Sequence, residues 1–433
     1  MQVVQTFGNI VAAIVASERP IIARRTLNFG WRAQWVKYSL FPDRRLPPSR
    51  RYISRVSMEI VLRALEHPDR AAATSLFVPT EPLQAVGIAP YSVEAVSAYL
   101  TGTKCEGVFL DKALEEGASE TECSYHRVFT GALESGLLPL PRFAVYTNLA
   151  CDGNLITFPH LTRKFGVPSF LVDVPYEKSE DAVAQVADEL REMCAFIEEM
   201  TGSHVEEDAL SACIARERKA DVAMREAVKL AAHRSVPSGV SEEMFPALVY
   251  HVMCGSEESL RYAELYLEDA EKAPETDSLR IVWMHLIPNM QPAVQAALSF
   301  SDDVHLTSCD IAYDTLRDDV DPARPFDAMA RRMVYSPFNG PVSSRVERVL
   351  DIAEATDADG AVLFTQWGCK ATIGAAPLIR KRLEEAGLPC LVLDGDGCDR
   401  KNASDGQTAT RIEAFLEMLS ARRAQGKGGG KAA

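Results

Sequence analysis

The spacing of apolar positions changes several times along this chain, and the changes divide it. Residues 1–70 carry apolar positions at helical spacing, and the run Ile10-Val11-Ala12-Ala13-Ile14-Val15-Ala16 reads as one face of a helix. A basic stretch (Arg24, Arg25, Arg44, Arg45, Arg50, Arg51) is broken by Pro42, Pro47 and Pro48. Short continuous apolar runs bounded by turn residues then begin. Ser75-Leu76-Phe77-Val78 stops at Pro79, and Phe143–Thr147 and Ser169–Asp173 have the same buried-strand character. Helical patterns lie between them. Strands that alternate with helices predict a parallel sheet.

From about 179 to 273 the chain is helical and charged, with Glu180–Thr201 the clearest amphipathic run. Strand patterns return at Leu279–Met284, Ala361–Thr365 and Cys390–Asp394. The expected fold is therefore α/β, with two Rossmann-like (flavodoxin-like) parallel-sheet lobes. The expected divisions are an N-terminal helical region (1–70), a first lobe (71–178), a helical connector (179–275), a second lobe (276–422) and a disordered Gly/Lys-rich tail (423–433).

A faint internal repeat links the lobes. Phe143-Ala-Val-Tyr-Thr-Asn-Leu-Ala-Cys151 leads through a helical stretch to Gly166-Val-Pro-Ser-Phe-Leu-Val-Asp173. Gly360-Ala-Val-Leu-Phe-Thr-Gln-Trp-Gly-Cys369 leads likewise to Gly387-Leu-Pro-Cys-Leu-Val-Leu-Asp394. Each copy is strand, cysteine, helix, Gly-x-Pro, strand, aspartate. Ligands of parallel α/β sheets bind beyond the carboxyl ends of the strands, and both cysteines fall there. A third, Cys123, opens a helical stretch, and the free N–H groups of a helix start favour a thiolate.

Composition narrows the chemistry. At 433 residues, 47% hydrophobic and 25% charged, the chain is globular and long enough for two or three domains. A net charge of −15 argues against a nucleic-acid partner, which requires basic surface. No run reaches the roughly 18 apolar residues of a membrane span, and a cytoplasmic location is expected. Ten cysteines exceed what packing needs, yet none forms a CxxC pair. Zinc ribbons and ferredoxin-type runs are therefore absent, and any metal ligands converge from distant positions.

The order and context of several motifs resemble the 2-hydroxyacyl-CoA dehydratases and the related benzoyl-CoA reductase subunits. They are Val78-Pro-Thr-Glu81 with Ala85-Val-Gly-Ile-Ala-Pro90, Cys123-Ser-Tyr, and Thr147-Asn-Leu-Ala-Cys151-Asp152-Gly153. Gly166-Val-Pro, Asp173-Val-Pro175 and Gly406-Gln407-Thr-Ala-Thr410-Arg411-Ile-Glu413-Ala-Phe415 complete the set, spanning roughly 70 to 420. The resemblance implies two Rossmann-like lobes and a 4Fe–4S cluster held by Cys123, Cys151 and Cys369, with the fourth iron coordinate open. It implies one-electron reduction of an acyl-CoA thioester, so that the 2-hydroxyl leaves as water through a ketyl radical. It also implies a homologous second subunit or second copy, and a separate ATP-hydrolysing iron–sulfur activator. This chain has no Gly-x4-Gly-Lys-Ser/Thr phosphate loop, so ATP use falls to a partner.

Other residues divide between chemistry and packing. Glu81 and Thr80, after a strand end, are candidate catalytic residues near substrate, with helix capping as the alternative. His126, one turn after Cys123, reads as a solvent-facing helical histidine; donation to a cluster sulfur or an acid role is the other reading. Cys105, Cys194, Cys213, Cys254, Cys309 and Cys390 read as core thiols, and Cys398 as a core thiol or an additional ligand. Gln407, Thr410 and Arg411 read as supports of the last helix; Trp367 either shields the cluster or packs on the lobe. Beside the dehydratase reading stand a low-potential reductase, acting on an aromatic acyl-CoA or as a double-cubane small-molecule enzyme, and a clusterless binding or scaffold protein.

Overall fold

The computed structural model describes residues 2–429, with side chains to residue 425. Eight strands form two separate four-stranded sheets. The first contains β1 (Ala71–Thr74), β2 (Ala89–Ser92), β3 (Phe143–Thr147) and β4 (Ser169–Val172), in the order β2-β1-β3-β4. The second contains β5 (Leu279–Met284), β6 (Val304–Cys309), β7 (Gly360–Gln366) and β8 (Cys390–Gly395), in the order β6-β5-β7-β8. Every pairing is parallel. Both lobes thus share one topology, and in each the order reverses between the first and third strands. That reversal opens the crevice where doubly wound sheets bind ligands.

Both faces of each sheet are covered, so the strands are apolar on both sides and alternate residues enter different cores. Ala72, Phe143, Val145 and Val172 face the helix Glu180–Thr201, whereas Ala71, Ala73, Ala144 and Tyr146 face the N-terminal helices and the helix Ser124–Glu134. In the second sheet Ile281, Trp283, Val362 and Phe364 share a core with the helices Val240–Val252 and Glu257–Lys272. Val282, Met284, Ala361 and Leu363 pack against the helices Val342–Ala355 and Ala376–Glu385.

Two features hold the lobes together. The helix Pro48–Glu66 contributes Ile53, Val56 and Ile60 to a second-lobe core, and Met58, Val61 and Leu62 to a first-lobe core. The helix Pro325–Val334, which lies between β6 and β7 in sequence, packs on the first lobe: Met329, Ala330 and Met333 join the core that contains Val145 and Val172.

The strand expected at Ser75–Val78 lies four residues earlier. Ala71-Ala72-Ala73-Thr74 is a poor strand former in isolation, but its small residues let helices approach both faces. Leu76 and Val78 then close over the sheet end in a turn. β2 and β6 are edge strands, and their proline and polar residues (Pro90, His305, Thr307) hide them from pattern reading. The last helix, Asp405–Gly429, runs through the start of the tail expected to be disordered, and residues 430–433 lie outside the described residues. Among the described residues no helix is long and apolar enough to cross a membrane.

Candidate metal centre

The repeat seen in the sequence places two cysteines at equivalent points. After β3 the chain winds tightly: Leu149 N–H donates to Thr147 Oγ1 (3.1 Å), Asn154 Nδ2 donates to the Thr147 carbonyl (2.8 Å), and Ala150 has φ +63°. That loop presents Cys151 just before the helix Asn154–Phe165. After β7, Gly368 takes φ +79°, a conformation that suits glycine, and Cys369 caps the short helix Lys370–Ile373. Each cysteine thus follows the third strand of its lobe, at the reversal of strand order. Cys123 is the N-cap of the helix Ser124–Glu134 and uses no side-chain capping bond.

The three loops meet across the crevice. A Cβ on Gly368 would lie 2.6 Å from the Cys123 backbone nitrogen, so the chain segments carrying Cys123 and Cys369 touch backbone to backbone. Lys370 and Asp152, neighbours of Cys369 and Cys151, approach to 3.5 Å across the lobes. His126, one turn beyond Cys123, brings Nε2 within 3.2 Å of Cys151 Sγ. All three thiols are free and half-buried.

Burial, then the nearby Cys369 and Cys151 sulfurs, pushes the Cys123 thiol well above its ordinary range. Burial, then Glu94 and Cys369, does the same to Cys151. These cysteines therefore feel each other's charge, and a thiolate here is costly until a cation arrives. Three thiols gathered from distant parts of the chain are a donor set for a thiophilic metal centre.

A polar clamp fixes the site from behind. The Asp396 carboxylate, in the loop after β8, accepts hydrogen bonds from the Ser124 hydroxyl, from Gln366 Nε2 (2.9 Å), and from the Cys398 (2.8 Å) and Asp399 (2.9 Å) amides. Gln366 Nε2 also donates to Ser124 Oγ (3.1 Å), and its Oε1 accepts from the Gly397 amide (2.7 Å). Ser124 follows Cys123 and Gln366 precedes Cys369 by three residues. One buried network thus sets the relative position of two cysteines from opposite lobes.

Two titratable groups border Cys151. His126 is 1% exposed, so the expectation of a solvent-facing histidine is corrected. Its helix lies under the crevice, and its position one turn after the N-cap points it inward. Burial lowers its pKa to about 4, leaving a neutral imidazole. Glu94, in the first turn of the helix Val93–Gly102, accepts from the Leu76 amide (3.2 Å) and the Ser92 hydroxyl (3.1 Å). Burial nevertheless holds its carboxyl above the usual range. Sequence reading passed over Glu94 because an acid in the first turn is the ordinary signature of a helix start.

The other candidates are engaged elsewhere. Thr80 donates to the Val252 carbonyl (2.9 Å), and Glu81 is ion-paired with Arg332 (2.5 Å). Glu81, Glu217 and Cys254 bring donor atoms within 4.8 Å of one another, but Arg332 already occupies that cluster, bonding also to Glu217 (2.7 Å) and Cys254 Sγ (3.0 Å). Cys398 is fully buried in the first-lobe core, and the six expected core thiols are buried as well. Trp367 is 49% exposed. Arg411 reaches back to Asp394 (3.2 Å) and the Val392 carbonyl, supporting β8 from the last helix.

Fold and site together define a class: a two-lobed parallel α/β protein with three cysteines brought to the crevice by loops that repeat between the lobes. Residues 75–419 match the family 2-hydroxyglutaryl-CoA dehydratase, D-component, and the chain belongs to that family. The three N-terminal helices precede the matched region. The chain is 21% identical to the (R)-phenyllactyl-CoA dehydratase alpha subunit of Clostridium sporogenes, over 71% of this chain and 79% of that one. It is 24% identical to the lactoyl-CoA dehydratase subunit alpha of Anaerotignum propionicum, over 80% and 90%. It is 25% identical to the (R)-2-hydroxyglutaryl-CoA dehydratase subunit beta of Acidaminococcus fermentans, over 78% and 92%. Alpha and beta subunits thus both resemble it, at similar distances.

Proposed function

We propose that this chain is one subunit of a 2-hydroxyacyl-CoA dehydratase, and that Cys123, Cys151 and Cys369 hold a 4Fe–4S cluster in its inter-lobe crevice. The observation that carries the reading is the meeting of three cysteine loops, from distant parts of the chain, at the strand-order reversal of both sheets. When bound, such a cluster supplies a low-potential electron and an iron with an open coordinate.

The chain's own residues do the rest. The Ser124–Asp396–Gln366 clamp keeps the two lobes in register, so that the ligands are preorganised. Burial raises the pKa of the Glu94 carboxyl, whose charge is felt at Cys151, and Glu94 is the acid we assign to protonate the departing hydroxyl. Glu81 and Thr80 serve the packing of the first lobe against Arg332 and Val252.

The similarity to both alpha and beta subunits supports a homologous partner chain. The missing phosphate loop supports a separate ATP-hydrolysing activator. Anaerobic purification with partner and activator, followed by iron and sulfide analysis and an assay for dehydration of 2-hydroxyacyl-CoA with ATP and reductant, tests the reading. Iron near four per chain with turnover is the expected result. An iron-free chain would remove the cluster, and a loaded complex inert toward every 2-hydroxyacyl-CoA would remove the dehydratase.

A further inference from the structure

His126 makes two contacts that packing alone does not require. Its Nε2 lies 3.2 Å from Cys151 Sγ and its Nδ1 lies 2.8 Å from Thr157 Oγ1, on the helix that follows Cys151. The loop between them leans on the ring. A Cβ on Gly153 would stand 2.5 Å from Cδ2 and 2.6 Å from Nε2 of His126, so that position accepts only glycine while the ring stays in place. The imidazole is thus clamped between two elements that both belong to the Cys151 loop, although it comes from the Cys123 helix.

We infer that His126 is a positioning residue that donates Nε2–H to the Cys151 thiolate, with the Thr157 hydroxyl holding the other ring nitrogen; this rests on the cluster reading above. A metal-bound thiolate has no proton and only accepts. The ring nitrogen facing it therefore carries the hydrogen, and the Thr157 hydroxyl donates to the lone pair on Nδ1. The hydrogen bond does two things. It fixes the direction of the sulfur lone pairs, and it stabilises the added negative charge when the centre is reduced. It therefore raises the reduction potential of the centre from its Cys151 ligand, whereas Asp396 supports the segments that carry Cys123 and Cys369. The residue one turn after Cys369 is Thr372, whose hydroxyl donates to the Cys369 carbonyl (3.2 Å) and not to a sulfur.

The experiment uses the anaerobically reconstituted full chain, with iron and sulfide counted first and the midpoint potential then followed by optical and paramagnetic resonance titration. His126→Phe is expected to keep the cluster and shift its potential to a more negative value. Thr157→Val, which removes the hydrogen bond that holds the ring at Nδ1 but leaves the ring, is expected to shift it less in the same direction. His126→Gln, whose amide can donate from a similar point, and Thr157→Ser are each expected to return it toward wild type. A wild type loaded with iron whose potential is unchanged in both His126→Phe and Thr157→Val overturns the inference and leaves the cluster reading intact. A wild type that binds no iron overturns both. Should His126→Phe fail to fold, the Thr157→Val and Thr157→Ser pair decides alone.

Discussion

Two clusters in this protein combine cysteine with acidic or other acceptor groups, yet they are built oppositely. Around Arg332, two carboxylates (Glu81 and Glu217) and the Cys254 sulfur surround a guanidinium that bonds to all three. The cluster carries its own cation. In the crevice, the groups acting most strongly on Cys123 are Cys369, Cys151 and Asp396, each of which can only be neutral or negative, and the histidine beside Cys151 is neutral. An isolated buried charge is expensive and a paired one is tolerated. The first arrangement is complete as folded; the second is suited to a cation from outside. The group of ligand-type atoms within 4.8 Å of one another, Glu81, Glu217 and Cys254, is the one that arginine fills.

The largest test of this contrast is removal of one thiol. Cys151→Ala is expected to abolish bound iron and all turnover while leaving the fold and the melting temperature of the iron-free chain nearly unchanged, as circular dichroism and iron analysis would show. Full iron retention would break the contrast at its centre. Next comes Arg332→Met, which strands two buried carboxylates. Removing one partner of a buried ion pair costs about 3–5 kcal/mol, so denaturant unfolding should reveal severe loss of stability. Iron per folded chain is expected to stay the same. Should Arg332→Met instead bind a divalent metal at Glu81, Glu217 and Cys254, the two clusters would prove interchangeable once the guanidinium is gone.

A smaller effect is expected from Gly368→Ala. The added Cβ meets the Cys123 backbone, which cannot rotate away, in a conformation with φ +79° that side chains rarely adopt. A strained backbone of this kind costs on the order of 1–3 kcal/mol. Because the strain is relieved by parting Cys123 from Cys369, iron affinity should fall along with stability. A variant of normal stability and normal iron content would show that the two loops are not held together there.

Much of this was legible from the residues, and what was not has physical causes. The repeat Phe143–Asp173 and Gly360–Asp394 marked both third strands and both crevice cysteines, because buried strands with a following Gly-x-Pro leave a strong local signature. β1 was misplaced, because three alanines become a strand only through the helices packed on them. His126 was read as exposed, since a lone histidine in a helix carries no sign of which face is covered. Glu94 and the Asp396 clamp escaped notice altogether. Their roles depend on groups brought together from positions as far apart as 124 and 396, and no local spacing encodes that.

The finest test lies between the two clusters, at His251. Its ring meets Phe77 edge-on (4.8 Å between ring centres), its Nε2 donates to the Ile311 carbonyl (2.9 Å), and it stands 3.0 Å from Asp314. Burial by itself would lower its pKa, and Arg332 pulls in the same direction, but the Asp314 carboxylate and the Ile311 carbonyl outweigh both and leave it raised. A group whose pKa is higher when folded stabilises most when it is protonated. The contribution is therefore complete below the ordinary histidine value near 6.5 and disappears as pH rises through the folded one. Wild type should accordingly exceed His251→Gln in stability by more at pH 5.5 than at pH 8.5, as measured by urea unfolding at each pH. Repeating the comparison on an Arg332→Met background sharpens it: with the opposing guanidinium removed, the His251 advantage should persist to higher pH. An advantage that grows with pH instead would mean that His251 is buried neutral, with burial and Arg332 together outweighing Asp314.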